Sequence, residues 1–144
     1  VIAYLDTSAL IPLIIEELGS ERVGRVWDTA EHVMSVRLVY AEARAALAQA
    51  ARIGRLPPVE LPGTVAVLDD LYDQLALIAA DDVLIRRAGE LAELHALRGY
   101  DAVHLAAAER VADDEMVLVA GDRELLAAAA TLGMALADTS SGIR

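Results

Sequence analysis

The chain has no cysteine, no lysine and no phenylalanine; its twelve basic residues are all arginine, and it holds one Trp, four Tyr and three His. Each absence removes a class of chemistry. Without Cys there are no thiol nucleophiles, no disulfide framework and no thiolate-ligated zinc. Without Lys there is no P-loop phosphate contact, no Schiff base, and none of the usual Asp–Lys pairing of aspartyl-phosphate phosphatases and phospho-receiver domains. Three scattered His with no H-x-x-x-H pair supply too few nitrogen ligands for a zinc hydrolase. The scarcity of aromatics leaves little for the stacking platforms used on single-stranded nucleic acids. Long apolar runs are missing too: Leu125 to Ala137 is shorter than the roughly 20 residues of a membrane span and contains Thr131 and Gly133. The chain opens on an apolar run with no basic region before it, so no signal peptide is visible and a cytoplasmic location is expected.

Acid is what the chain has in excess. Its 23 Asp and Glu against 12 Arg give a net charge of −11, with 56% hydrophobic and 24% charged residues, the profile of a globular protein. That charge argues against a strongly basic nucleic-acid binder. It does not exclude a nuclease, because carboxylates that hold metal ions count in the same total. At 144 residues, a single domain spanning 1–144 is expected.

Val1 to Leu5 reads as a buried strand, closed by Asp6-Thr7-Ser8 as a helix start. Helical patterns follow at Ser20–Ala30, Arg37–Ile53 (closed by Gly54), Val65–Leu75, Val83–Leu97, Asp101–Ala112 and Asp122–Thr131. Further strands are predicted at His32–Val36, Leu77–Ala79, Met116–Val119 and Met134–Leu136, and Pro57, Pro58, Pro62 and Gly63 mark a loop. Strands alternating with helices, without two-residue hairpin turns, predict an α/β protein: a three-layer α/β/α sandwich around a central parallel sheet of four or five strands.

In such sheets ligands bind beyond the carboxyl ends of the strands. Asp6 and Asp122 fall there directly, each following a strand, and each also suits a helix N-cap. On a wheel of about 100° per residue, Glu42 shares its direction with Leu38, Val39, Ala45 and Ala46, while Arg37, Tyr40 and Arg44 lie opposite. Neither Leu38 nor Ala46 offers it a salt bridge, so a tertiary partner or a metal ion is expected. Asp101 heads the stripe of Leu105, Ala108 and Ala112, with Gly99 before it and His104 one turn on; His104 is assigned no role, as a lone His among apolar residues is usually structural. The runs Glu16-Glu17, Asp69-Asp70, Asp81-Asp82 and Asp113-Asp114-Glu115 read as solvated surface. Four acids remain: Asp6, Glu42, Asp101 and Asp122.

Converging carboxylates at such an edge suit Mg²⁺ or Mn²⁺, whose coordination is typically completed by water and substrate phosphate, and with which water hydrolyses a phosphodiester without a protein nucleophile. The blocks Tyr4-Leu5-Asp6-Thr7-Ser8-Ala9-Leu10, Ser35-x-Arg37-Leu38-x-x-Ala41-Glu42, Arg98-Gly99-Tyr100-Asp101-Ala102-x-His104-Leu105-Ala106 and Leu118-Val119-x-x-Asp122-x-x-Leu125 resemble, in order, the four blocks of PIN-domain proteins. Among these they most resemble the VapC toxins of bacterial type II toxin–antitoxin pairs. The resemblance implies an α/β/α sandwich, a Mg²⁺-dependent endoribonuclease in which Mn²⁺ substitutes, and a VapB-type antitoxin whose tail occupies the active-site groove. It implies that Asp6, Glu42 and Asp101 are catalytic metal-binding acids, that Asp122 is the more variable fourth, and that the Ser8 hydroxyl helps order the site. Ala120 departs from the family pattern, which often has Thr or Ser two residues before the fourth acid; this bears on the second metal position.

Two other readings compete. One is a catalytically weak PIN-like module acting through antitoxin binding and operon autoregulation, with DNA contacted only through the antitoxin. The other, a phosphatase using Asp6 as nucleophile, lacks its lysine and has Ser8 where a second Asp belongs. A homodimer or a higher toxin–antitoxin complex is expected from the resemblance, with Arg37 and Arg123 the basic residues nearest the acid blocks in sequence.

Overall fold

The computed structural model describes residues 1–140. Five strands, β1 (Ile2–Leu5), β2 (His32–Val36), β3 (Ala76–Ile78), β4 (Met116–Ala120) and β5 (Ala135–Asp138), form one parallel sheet in the order β3-β2-β1-β4-β5. The described residues also form seven α-helices, α1 (Thr7–Leu10), α2 (Ser20–Thr29), α3 (Val39–Arg52), α4 (Leu61–Gln74), α5 (Asp82–His95), α6 (Gly99–Val111) and α7 (Arg123–Thr131), and two 3-10 turns at Ile11–Leu13 and Pro58–Glu60. The expected sandwich with a central parallel sheet is therefore observed. Among the described residues no helix is long and apolar enough to cross a membrane.

Alternation along β1 and β4 creates the two cores. Ala3, Leu5 and Val119 face one layer, where they pack with Ala9, Leu10, Val23, Val39, Ala43, Leu47 and Leu68. Tyr4, Leu118 and Ala120 face the other, with Leu84, Leu91, Leu105 and Leu125. Leu5 pairs with Val119, so β1 and β4 end side by side and deliver Asp6 and Gly121-Asp122 to the same edge. The chain leaves β1 toward β2 and β3 on one side, and β4 and β5 lie on the other, so this edge is where strand order reverses and a crevice opens.

Several boundaries differ from the sequence reading. Helix α4 begins at Leu61 inside the expected Pro-rich loop, because Pro62 in a first turn lacks only an N–H that would be unpaired anyway. Helix α6 begins at Gly99, so Asp101 stands inside its first turn and does not cap it. The buried stripe of α3 is Val39, Ala43, Leu47 and Ala50, whereas Ala45 and Gln49 are exposed and Ile53 is 58% exposed. Glu42 thus flanks this stripe, its largely buried side chain turned toward α6 instead of into the α3 core. Alanine is apolar on every side of this helix, so a wheel cannot separate the face that packs from the face that does not.

Helix α5 ends at His95 with Ala96 in the left-handed region at φ 53°, and the Leu97 amide donates to the Ala92 carbonyl at 3.1 Å. This is the geometry glycine normally serves, and an L-residue there costs about 1 kcal/mol. Helix α3, by contrast, is followed by Gly54 at φ 83°. Ala96→Gly is expected to stabilise the protein by roughly 0.5–1 kcal/mol, read as a rise in the urea midpoint at constant slope.

Candidate active site

Asp6 follows β1 and caps α1: its Oδ1 accepts from the Ala9 amide at 3.2 Å and from the Ser8 hydroxyl at 2.7 Å. The Ser8 oxygen in turn accepts from the Gly121 amide at 2.8 Å, tying the end of β1 to the end of β4. A Cβ on Gly121 would sit 3.0 Å from the Thr139 hydroxyl and 3.7 Å from that of Ser8, so the bare backbone keeps this junction close. Asp122 caps α7, its Oδ1 accepting from the Leu125 amide at 3.0 Å.

Glu42 is held by two donors on the same oxygen. The Thr7 hydroxyl reaches its Oε1 at 2.9 Å and His104 Nε2 reaches it at 2.6 Å. Behind it, the Tyr4 hydroxyl lies 2.8 Å from His104 Nδ1, with both rings fully or almost fully buried. Since a carboxylate only accepts, Nε2 carries the proton donated to Glu42, while Nδ1 shares its hydrogen bond with the Tyr4 hydroxyl. The relay runs from the core outward, β1 to α6 to α3.

On the other side Arg98, the residue before α6, spans two acids. Its Nε donates to Asp101 Oδ2 at 3.1 Å and its Nη2 to Asp122 Oδ2 at 3.4 Å. Asp6 lies within electrostatic reach of both sides: burial pushes its carboxyl up to about 6, opposed by His104 and reinforced by the charge of Asp122. Asp101 is also raised above the ordinary carboxylate range, first by burial and then by Asp122, with the Arg98 guanidinium opposing. Burial drives the Tyr4 hydroxyl well upward.

All four acids expected from the sequence therefore occupy one sheet edge, with Ser8 between β1 and β4. They do not form a closed cage: among the described residues, no three His, Asp or Glu side chains are grouped so as to hold a metal ion. Each carboxylate has turned toward a donor of the chain itself. Beside Glu42 opens a cleft of about 330 Å³ lined by Thr7, Leu38, Ala41, Ala45 and Tyr100, which meets at Leu38 and Tyr100 a largely apolar one along α5 and α6.

Residues 3–139 match the family described as PIN domain. The chain belongs to the PIN-domain family. This PIN domain is 38% identical over 136 residues to the proteins named Ribonuclease VapC45 and Ribonuclease VapC49 of Mycobacterium tuberculosis, covering 94% of this chain and 94% of each relative. Among solved structures it superposes on PAE2754 from Pyrobaculum aerophilum with a TM-score of 0.71 at 25% identity, covering 98% of this chain and 85% of that one. The DNA-bound VapBC structure from Salmonella typhimurium shares the fold, with a TM-score of 0.65 at 15% identity over 95% of this chain and 97% of that one.

Three residues that contact the acids of this PIN domain were not selected from sequence: Thr7, Arg98 and His104. Thr7 adjoins Asp6, while Arg98 and His104 lie three residues either side of Asp101, the spacing at which helical side chains meet. That spacing was the available signal. Arg37 and Arg123, the basic residues nearest the acid blocks in sequence, make no hydrogen bond to these acids among the described residues.

The buried Asp6 carries a stability cost. With its pKa at about 6 in the folded chain against an ordinary 3.8, the folded state holds the extra proton between these values. Stability therefore falls as pH rises through this window, and the loss is complete above about pH 6. Asp6→Asn keeps an oxygen for the Ala9 amide and removes the charge. In EDTA it is expected to be more stable than wild type by about 3 kcal/mol at pH 7.5, with the gain shrinking toward zero near pH 4. Urea unfolding at both pH values checks this; equal stability of the two proteins at pH 7.5 would show that the buried charge costs nothing.

Proposed function

We propose that this PIN domain is a divalent-metal-dependent endoribonuclease and the toxin member of a VapBC-type toxin–antitoxin pair. One observation carries the reading: Asp6, Glu42 and Asp101 each keep a carboxylate oxygen with no hydrogen bond among the described residues, at the edge where strand order reverses. Likeness along nearly the whole chain to two proteins named ribonucleases supports it. All-oxygen carboxylate donors fit Mg²⁺ or Mn²⁺ by type, while zinc and copper favour nitrogen and sulfur donors. Asp6, Glu42 and Asp101 would hold the ion, with Asp122 beside them. A bound ion would supply the Lewis acidity that makes water a nucleophile at neutral pH and offsets charge on the scissile phosphate.

The chain's own residues prepare this chemistry. Thr7 and His104 fix one oxygen of Glu42 and leave the other without a hydrogen bond among the described residues. Ser8 orients Asp6 while locking β1 to β4. The raised pKa values of Asp6 and Asp101 reflect first burial and then the negative charge of Asp122, and a bound cation would compensate both. A VapB-type antitoxin is assigned to the apolar cleft that opens from Glu42, from which its tail reaches the acids. With a net charge of −11, this chain would leave operator DNA to the antitoxin. A homodimer in the cytoplasm completes the proposal.

The rival, a weakly catalytic binding module, has one observation on its side: the acids already have donors within the chain and no cage is formed. Activity separates the two readings. The purified chain is expected to cleave structured RNA with Mg²⁺ or Mn²⁺ and to stop with EDTA. Asp6→Asn and Asp101→Asn are expected to lose on the order of 10²–10³-fold in rate with the fold intact by circular dichroism. Full activity in either variant would remove that acid from the site, and no cleavage of any RNA by wild type would favour the binding module. Toxicity on expression in bacteria, relieved by a small neighbouring gene product, is the expected cellular counterpart.

A further inference from the structure

The four acids differ in how their oxygens are used. Asp6 commits Oδ1, to Ser8 and the Ala9 amide, and Glu42 commits Oε1, to Thr7 and His104. Asp101 commits Oδ2 to Arg98. Asp122 alone has both oxygens engaged, Oδ1 by the Leu125 amide and Oδ2 by Arg98. Among the described residues Arg98 is also the one arginine bonded to any of the four. Its side chain is 78% exposed, so packing does not hold it; the two carboxylates do.

Resting on the metal-dependent reading above, we propose that Arg98 is the resident cation of the Asp101–Asp122 side, so that the centre takes one divalent ion, through Asp6, Glu42 and Asp101, and Asp122 acts by holding Arg98. A guanidinium presents its donors in a fixed fork, and here that fork reaches two carboxylates that repel each other. A second divalent ion on that side would have to displace it or sit beside its positive charge. Mg²⁺ sheds its water reluctantly and gains little from two carboxylates that already have a counter-ion. Ala120, with no hydroxyl two residues before Asp122, offers no further oxygen there.

The test counts ions without measuring cleavage. Mn²⁺ is titrated into wild type and Arg98→Gln, and the free-ion electron paramagnetic resonance signal gives the number bound. Arg86→Gln serves as control; it removes the same charge from an exposed pair with Asp82. Wild type and Arg86→Gln are expected to bind one ion per chain, and Arg98→Gln two, with the spectral broadening of a neighbouring pair. Two ions in wild type, or one in Arg98→Gln, would overturn the proposal while leaving the metal-dependent reading in place. No saturable binding by any of the proteins would instead overturn that reading, and this proposal with it. Since Arg98 is exposed, its variant is expected to melt like wild type, so a changed count would not reflect lost fold.

Discussion

The burial of carboxylates at the β1–β4 edge, with the charge of Asp122 beside them, is the constraint to which the rest of the site answers. Asp6, Asp101 and Asp122 lie close enough that burial and their neighbours' charge raise the first two above the ordinary range. Nothing in the sandwich requires acids there; a parallel sheet folds as well with neutral caps. The protein keeps them together by surrounding each with donors: helix N-terminal amides for Asp6 and Asp122, hydroxyls for Asp6 and Glu42, an imidazole for Glu42 and a guanidinium for Asp101 and Asp122. An edge stabilised this way carries charge and desolvation costs, accepted in folding, that the proposed cation would relieve.

The donors are of two kinds. Those behind Glu42 belong to the core: Tyr4 and His104 are buried in the α5–α6–α7 layer, and their contact joins a strand to a helix a hundred residues away. Their hydrogen bonds are short and shielded from water, so they fix Glu42 firmly. Arg98 is of the other kind, exposed and held only by charge; exposed pairs of this sort contribute little to stability. The site is thus rigid on the α3 side and exchangeable on the α6–α7 side.

Much of this was legible in the sequence. Alternating strands and helices implied the parallel sandwich, and a lack of Cys, Lys and paired His left carboxylates as the chemistry. Asp6 and Asp122 were placed by the rule that ligands bind beyond strand ends, and both caps are present. Glu42 was read as inward-directed, and it is, though beside the packed stripe of α3 and not within it. The wheel placed it on the packed face of α3, yet that face is Val39, Ala43, Leu47 and Ala50, and alanine-rich helices give such a wheel little contrast. What remained sound was that an acid without an i±4 partner needs a tertiary one, and Thr7 and His104 are that partner.

By itself, then, the sequence determined the element order, the layer architecture and which four acids stand at strand ends or near a helix start, because these depend on local periodicity and capping. Only tertiary structure decided how they are partnered. The strand order β3-β2-β1-β4-β5 brings Asp6 beside Gly121 and Asp122, and the stacking of α6 on the sheet sets His104 between Tyr4 and Glu42. Contacts separated by about a hundred residues, such as Ser8 to Gly121 and Tyr4 to His104, leave no periodic trace in the chain. They exist because the sheet closes the distance, and with it settles which carboxylate oxygens are hydrogen-bonded within the chain and which are not.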